Sequence, residues 1–233
     1  MNDVYYLLTT AVFIGTVHTV IGVDHYLPFV ALSKANQWTM KRTMVVVFVC
    51  GIGHVLSSVL LGFAGIALSA SLSFLVDVES IRASMATYFL IGFGLLYTLW
   101  ALRNLYKNKK HTHEIDGHAL VHDHHETASV EDHLKAQKKS QTTIWGLFIL
   151  FVLGPCEPLI PILMYPAATH NAAALIIVTL AFTICTISTM LTMTYVLLKG
   201  MDVVKLSGLH KYSHALAGSA VALCGILMLT LGI

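Results

Sequence analysis

Six long apolar runs, each the length of a membrane crossing, leave this chain few folds to choose from. They cover residues 5–31, 43–70, 83–103, 142–168, 171–198 and 213–232. A bilayer core of about 30 Å takes roughly 20 apolar residues per helix. Within it every backbone polar group must be bonded internally, so such runs become helices. Charged residues make up 11% of the chain, against about 25% in an average soluble domain. The expected fold class is therefore all-α, a polytopic membrane protein of six transmembrane helices. The first run begins "MNDVYY", with no basic leader and no small-residue cleavage pattern, so it reads as a retained helix and not as a signal peptide.

The basic residues give an orientation. Lys34, Lys41 and Arg42 follow the first run. Arg103, Lys107, Lys109, Lys110, Lys135, Lys138 and Lys139 follow the third, and Lys199, Lys205 and Lys211 follow the fifth. Of the fourteen Lys and Arg residues, Arg82 stands by itself on the other side. The positive-inside rule makes the rich side cytoplasmic. Both termini then lie outside, and the expected location is the plasma (bacterial inner) membrane. The chain divides into a three-helix repeat at 1–106, a cytoplasmic histidine-rich linker at 107–141 and a second three-helix repeat at 142–233. Equivalent helices run in opposite directions, the 3+3 inverted-repeat plan of many secondary transporters, in which broken helices carry the site.

Both first helices carry breakers around an acid. Gly15, Gly22 and Pro28 flank Asp24, and "LGPCEPLIPILMYP" sets Gly154, Pro155, Pro158 and Pro161 around Glu157. Proline removes a backbone donor, and in a membrane the freed carbonyls need protein or water beside them. Helix breaks are expected at Gly22, Pro28, Gly154, Pro155 and Pro158.

Of twelve acidic residues, Asp24 and Glu157 are the two set deep within the apolar runs. His18, His25 and His54 join them. Ionisable groups there are costly and mark ion or proton pathways. In a continuous helix His18 and His25 share a face about 10 Å apart, and a break at Gly22 would change that spacing. Histidine with carboxylate suits first-row divalent metals and relays protons. Threonines 183, 186, 189, 192 and 194 either bond back to their own helix or, with Met190 and Met193, line a pathway.

The linker reads "HTHEIDGHALVHDHHETASVEDH" and holds seven of the thirteen histidines: His111, His113, His118, His122, His124, His125 and His133. Such tracts bind metal by composition, so these residues are assigned accessory metal capture. Cys50, Cys156, Cys185 and Cys224 form no C-x-x-C pair, which argues against a disulfide framework.

"HTVIGVDH" resembles the His-Asp-His signature of nickel/cobalt transporters, both the NicO-type efflux proteins and the HupE/UreJ-like permeases. Thr19 stands where the permeases carry proline, and Gly22 fits them. "GPCEPLIP" is similar to the second-half motif of the UreH–sulfite-exporter-like group. It also resembles the Pro-Cys element of the membrane electron carriers of cytochrome c biogenesis. The transporter resemblance implies metal handling by His18, Asp24, His25 and His54, with Glu157 and Cys156 at the facing break.

On this reading the chain is not an enzyme but a secondary transporter of nickel or cobalt, with zinc as a further candidate, driving efflux with protons. No nucleotide-binding loop is present, so an ion gradient supplies the energy. No prosthetic group is expected, and the divalent metal is substrate. Protons and the lipid bilayer are the other partners, a homo-oligomer is compatible, and nucleic acid is not. The alternative is export of sulfite or another sulfur-containing anion. The third reading is a membrane thiol–disulfide electron carrier. It needs cysteines on both broken helices, and helix 1 has none.

Overall fold

The computed structural model describes residues 2–108, 130–203 and 212–231. The described residues are helical. α1 (Asn2–Ile21) passes through a single 3-10 turn (Val23–His25) into α2 (Leu27–Ala35). α3 (Met40–Ala67) and α4 (Leu72–Asn108) complete the first half. α5 (Val130–Leu153), α6 (Leu159–Ala168), α7 (Ala172–Val203) and α8 (Ser213–Leu231) follow. Five helices are long and apolar enough to cross a membrane: α1, α3, α4, α7 and α8. The run expected at 142–168 is instead divided into two shorter apolar helices on either side of the break at Gly154. The protein is a multi-pass membrane protein. Large apolar side chains such as Phe13, Leu60, Leu96 and Ile184 face outward, as lipid contact requires.

The helix ends have local causes. α3 begins where the Thr39 hydroxyl accepts from the Arg42 N–H at 3.3 Å, and α7 where the Asn171 side-chain oxygen accepts from the Ala174 N–H at 3.0 Å. Both are polar N-caps that satisfy otherwise orphaned donors. α2, α3 and α6 end alike. Gln37, Ser69 and His170 take φ of 52°, 53° and 52°, and the following residue donates back across the last turn: Trp38 to Ser33, Ala70 to Gly65, Asn171 to Pro166. This is the Schellman closure.

The helices meet in a paired pattern. α1 packs on α7 and α5 on α3; α2 packs on α8, while α6 packs chiefly on α7 and α3 and less on α4. α3 meets α7, and α4 meets α8 most extensively of all. Small residues allow that last approach: a Cβ on Gly218 would stand 2.7 Å from the Thr98 nitrogen and 2.9 Å from the Gly94 oxygen. One apolar core gathers Phe29, Leu32, Val47, Leu90, Phe151 and Val221. A second gathers Val55, Cys156, Leu159, Leu163 and Phe182. The two breaks lie between these cores.

Candidate functional site

The first break starts at the end of α1. The Gly22 N–H donates to the His18 carbonyl at 2.8 Å, and Gly22 then leaves the helix at φ −70°, ψ 89°. The chain turns so tightly that a Cβ on Gly22 would stand 2.5 Å from His25 Nδ1 and 3.0 Å from an Asp24 oxygen. The Tyr26 hydroxyl donates to the Val20 carbonyl at 3.0 Å, which caps a group the break would leave bare. His25, 2% exposed, donates from Nδ1 to the Gly22 carbonyl (3.0 Å) and to Asp24 Oδ1 (3.1 Å).

The second break is satisfied from outside its own helix. His54 on α3 donates from Nδ1 to the Phe151 carbonyl at 3.3 Å. Arg82 on α4 donates to the carbonyls of Val152 (3.1 Å) and Gly154 (3.2 Å). It also bonds Ser57 Oγ at 2.7 Å and Ser58 Oγ at 3.3 Å, and pairs with the buried Glu79 carboxylate at 2.9 Å. Ser58 Oγ in turn accepts the Cys156 N–H at 3.0 Å. Pro155 and Pro158 have no N–H to offer, so the interruption leaves carbonyls that His54 and Arg82 take up.

The breaks bring three histidines and a thiol together. The His18 and His25 rings are 4.9 Å apart and those of His25 and His54 are 5.0 Å apart, each edge to face. One ligand atom from each of His18, His54 and Cys156 lies within 4.8 Å of the others. His25, His54 and Cys156 are buried. Asp24 faces His25 and lines a small cleft with His54, Gly154 and Pro155. Glu157 is exposed and does not join the cluster. Pro28 is buried at the start of α2. Of the accessory histidines, His111, His113, His118, His122, His124 and His125 lie outside the described residues. His133 falls within α5, its side chain outside them too.

Four groups at the second break escaped the sequence reading: Ser57, Ser58, Glu79 and Arg82. Arg82, which the charge distribution sets by itself on the other side, grips the break itself. The i,i+3 spacing of Glu79 and Arg82 was the available signal. On α7, Thr183 and Thr192 bond back to Thr179 and Ser188. Met190 is buried against Gly51.

No curated protein and no solved structure matches the chain. A family model does match, described as the cytochrome c biogenesis protein transmembrane region, over residues 10–232. This overturns the expected membership of the nickel/cobalt and UreH–sulfite-exporter-like transporter group, and with it the reading as a proton-coupled metal exporter. Nickel or cobalt transport falls with it. The cause is plain in the residues. His18, Asp24 and His25 fix three positions on one broken helix, and Asp24 is engaged by its neighbour His25, while the family match runs from within α1 to the end of α8. With both breaks and Cys156 inside the matched stretch, the chain belongs to the cytochrome c biogenesis transmembrane-region family.

Proposed function

We propose that the protein is a membrane electron carrier that works by thiol–disulfide exchange, with Cys156 as its redox thiol. The observation that carries this is the position of Cys156: buried within the second break, against His18 and His54, in a chain matched by this family model over residues 10–232. An imidazole lone pair takes the thiol proton, because the thiolate is the nucleophile. The thiolate attacks a partner disulfide. A Cys156–partner S–S bond forms, and the partner's second sulfur leaves as thiolate. A thiol of a dithiol reductant then attacks the Cys156 sulfur and expels the partner's first sulfur as thiolate. The reductant's second thiol attacks the reductant sulfur bonded to Cys156, so the reductant leaves as a disulfide and Cys156 is freed. That resolving thiol is external, since helix 1 supplies no cysteine.

The reading includes an architecture. Residues 1–106 and 142–233 act as inverted repeats joined by a cytoplasmic linker at 107–141, with both termini outside the bacterial inner membrane. Its support is the helix pairing: α1 on α7 answers α5 on α3, and α2 on α8 has a weaker counterpart in α6 on α4. Each broken helix also ends in the same closure, at Gln37 and at His170. Cys156 is 0% exposed, so exchange requires the broken helices to part, toward one side and then the other.

The test uses sealed vesicles holding the purified chain, with a dithiol inside and an impermeant disulfide dye outside. Wild-type vesicles should reduce the dye faster than vesicles carrying Cys156→Ser. Equal rates would refute the carrier reading.

A further inference from the structure

The histidine cluster has more donor capacity than the fold uses. His25 and His54 each direct Nδ1 at a backbone carbonyl. A carbonyl only accepts, so in the neutral ring Nδ1 carries the proton and Nε2 holds a bare lone pair. The Nε2 atoms of His18, His25 and His54 are all buried and meet no hydrogen-bond partner. A buried polar atom without a partner costs about 1–3 kcal/mol, and two of these rings, His18 and His54, each set a ligand atom within 4.8 Å of the Cys156 thiol. A histidine fixed through Nδ1 with Nε2 free is also how proteins orient metal-ligating imidazoles.

We propose that His18, His54 and Cys156 form a site for one monovalent copper ion. The site stands on the ligand geometry, and a bound ion occupies the Cys156 thiolate, so copper binding and thiol–disulfide exchange exclude each other at this residue. Three points select the ion. Bonds of roughly 2.0–2.3 Å set donors on a shared ion about 3.5–4 Å apart. The three ligand atoms already lie within 4.8 Å of one another, so small side-chain rotations close the site. Thiolate with imidazole is a soft set that selects monovalent copper or zinc over harder ions. The ligand number then favours copper, because a structural Zn²⁺ takes four protein ligands and, among the described residues, only three cluster here. Asp24 is not among them; its carboxylate accepts from His25 at 3.1 Å. His25 is the positioning residue. It sits edge-on between the rings of His18 and His54 and holds the turn in place through Gly22.

The experiment reads alkylation of the four cysteines by mass spectrometry in the reduced, full-length protein in detergent. Copper(I) or zinc(II) is the added probe. The seven linker histidines are replaced by alanine so that they bind neither ion. Copper should protect Cys156 and leave Cys50, Cys185 and Cys224 at their metal-free rates. His54→Ala should lower copper affinity by more than the roughly 10–100-fold that outer groups typically contribute. His25→Gln should stay within that range. Unchanged Cys156 alkylation with copper in the unmutated site would overturn the site, and protection by zinc alone would overturn its assignment to copper. Neither result depends on the vesicle assay. A failed carrier reading leaves copper protection intact, and a failed copper site leaves dye reduction intact.

Discussion

Arg82 shows what single residues do here that chain position does not reveal. It bonds two carbonyls at the break, two serine hydroxyls and a carboxylate. Glu79 is 1% exposed, and its second oxygen has no partner. Removing one member of such a pair leaves a buried charge uncompensated, at a cost of about 3–5 kcal/mol. Arg82→Met should destabilise by that much, and adding Glu79→Gln should recover part of the loss. Denaturation of the four members of this cycle in detergent measures the coupling, and additive losses would show that the pair is not coupled. The histidines and the aspartate of the site were legible in the sequence because His18, Asp24, His25 and His54 interrupt apolar runs. Glu79 and Arg82 were not, because the apolar run was drawn from residue 83 and both fell into its polar margin. The structure extends that helix back to Leu72 and turns both side chains inward.

Elements differ in how openly they announce their ends. Pro155 and Pro158 lack backbone donors, so the interruption between α5 and α6 has a cause written in the sequence. The turns after α2, α3 and α6 have no such mark. Their left-handed positions, usually glycine, are held by Gln37, Ser69 and His170. A side chain there costs about 1–2 kcal/mol against glycine. Gln37→Gly and His170→Gly should each therefore stabilise the protein by about 1 kcal/mol, contrary to the usual loss when glycine enters a helical segment. Thermal unfolding in detergent tests this. A fall in midpoint for both variants would mean that these side chains hold contacts worth more than the strain. The metal-transport reading failed at this same scale. One short motif on a broken helix was taken to fix the chemistry, although the match that identifies the family extends over residues 10–232.

For the whole molecule, the pairing of helices carries the proposed two-fold plan further than sequence could, because the two halves share breakers and little else. If the halves are inverted repeats, their corresponding turns face opposite sides of the membrane. Gln37 closes the first broken helix and His170 the second, so the plan sets Gln37 in the cytoplasm and His170 outside. Ser69, one crossing beyond Gln37 along α3, joins His170. Single cysteines can be introduced at these three positions in a chain whose native cysteines are replaced by alanine. An impermeant thiol reagent applied to right-side-out vesicles should then label Ser69→Cys and His170→Cys. It should reach Gln37→Cys only after the vesicles are opened. The charge distribution alone predicts the side of Gln37, between Lys34 and Lys41. The repeat alone predicts that His170 opposes it. Labelling of Gln37→Cys and His170→Cys from the same face would leave the paired contacts of α1 with α7 and α5 with α3 intact. It would also show that the two halves run parallel, and a carrier opening alternately to each side would need a different hinge.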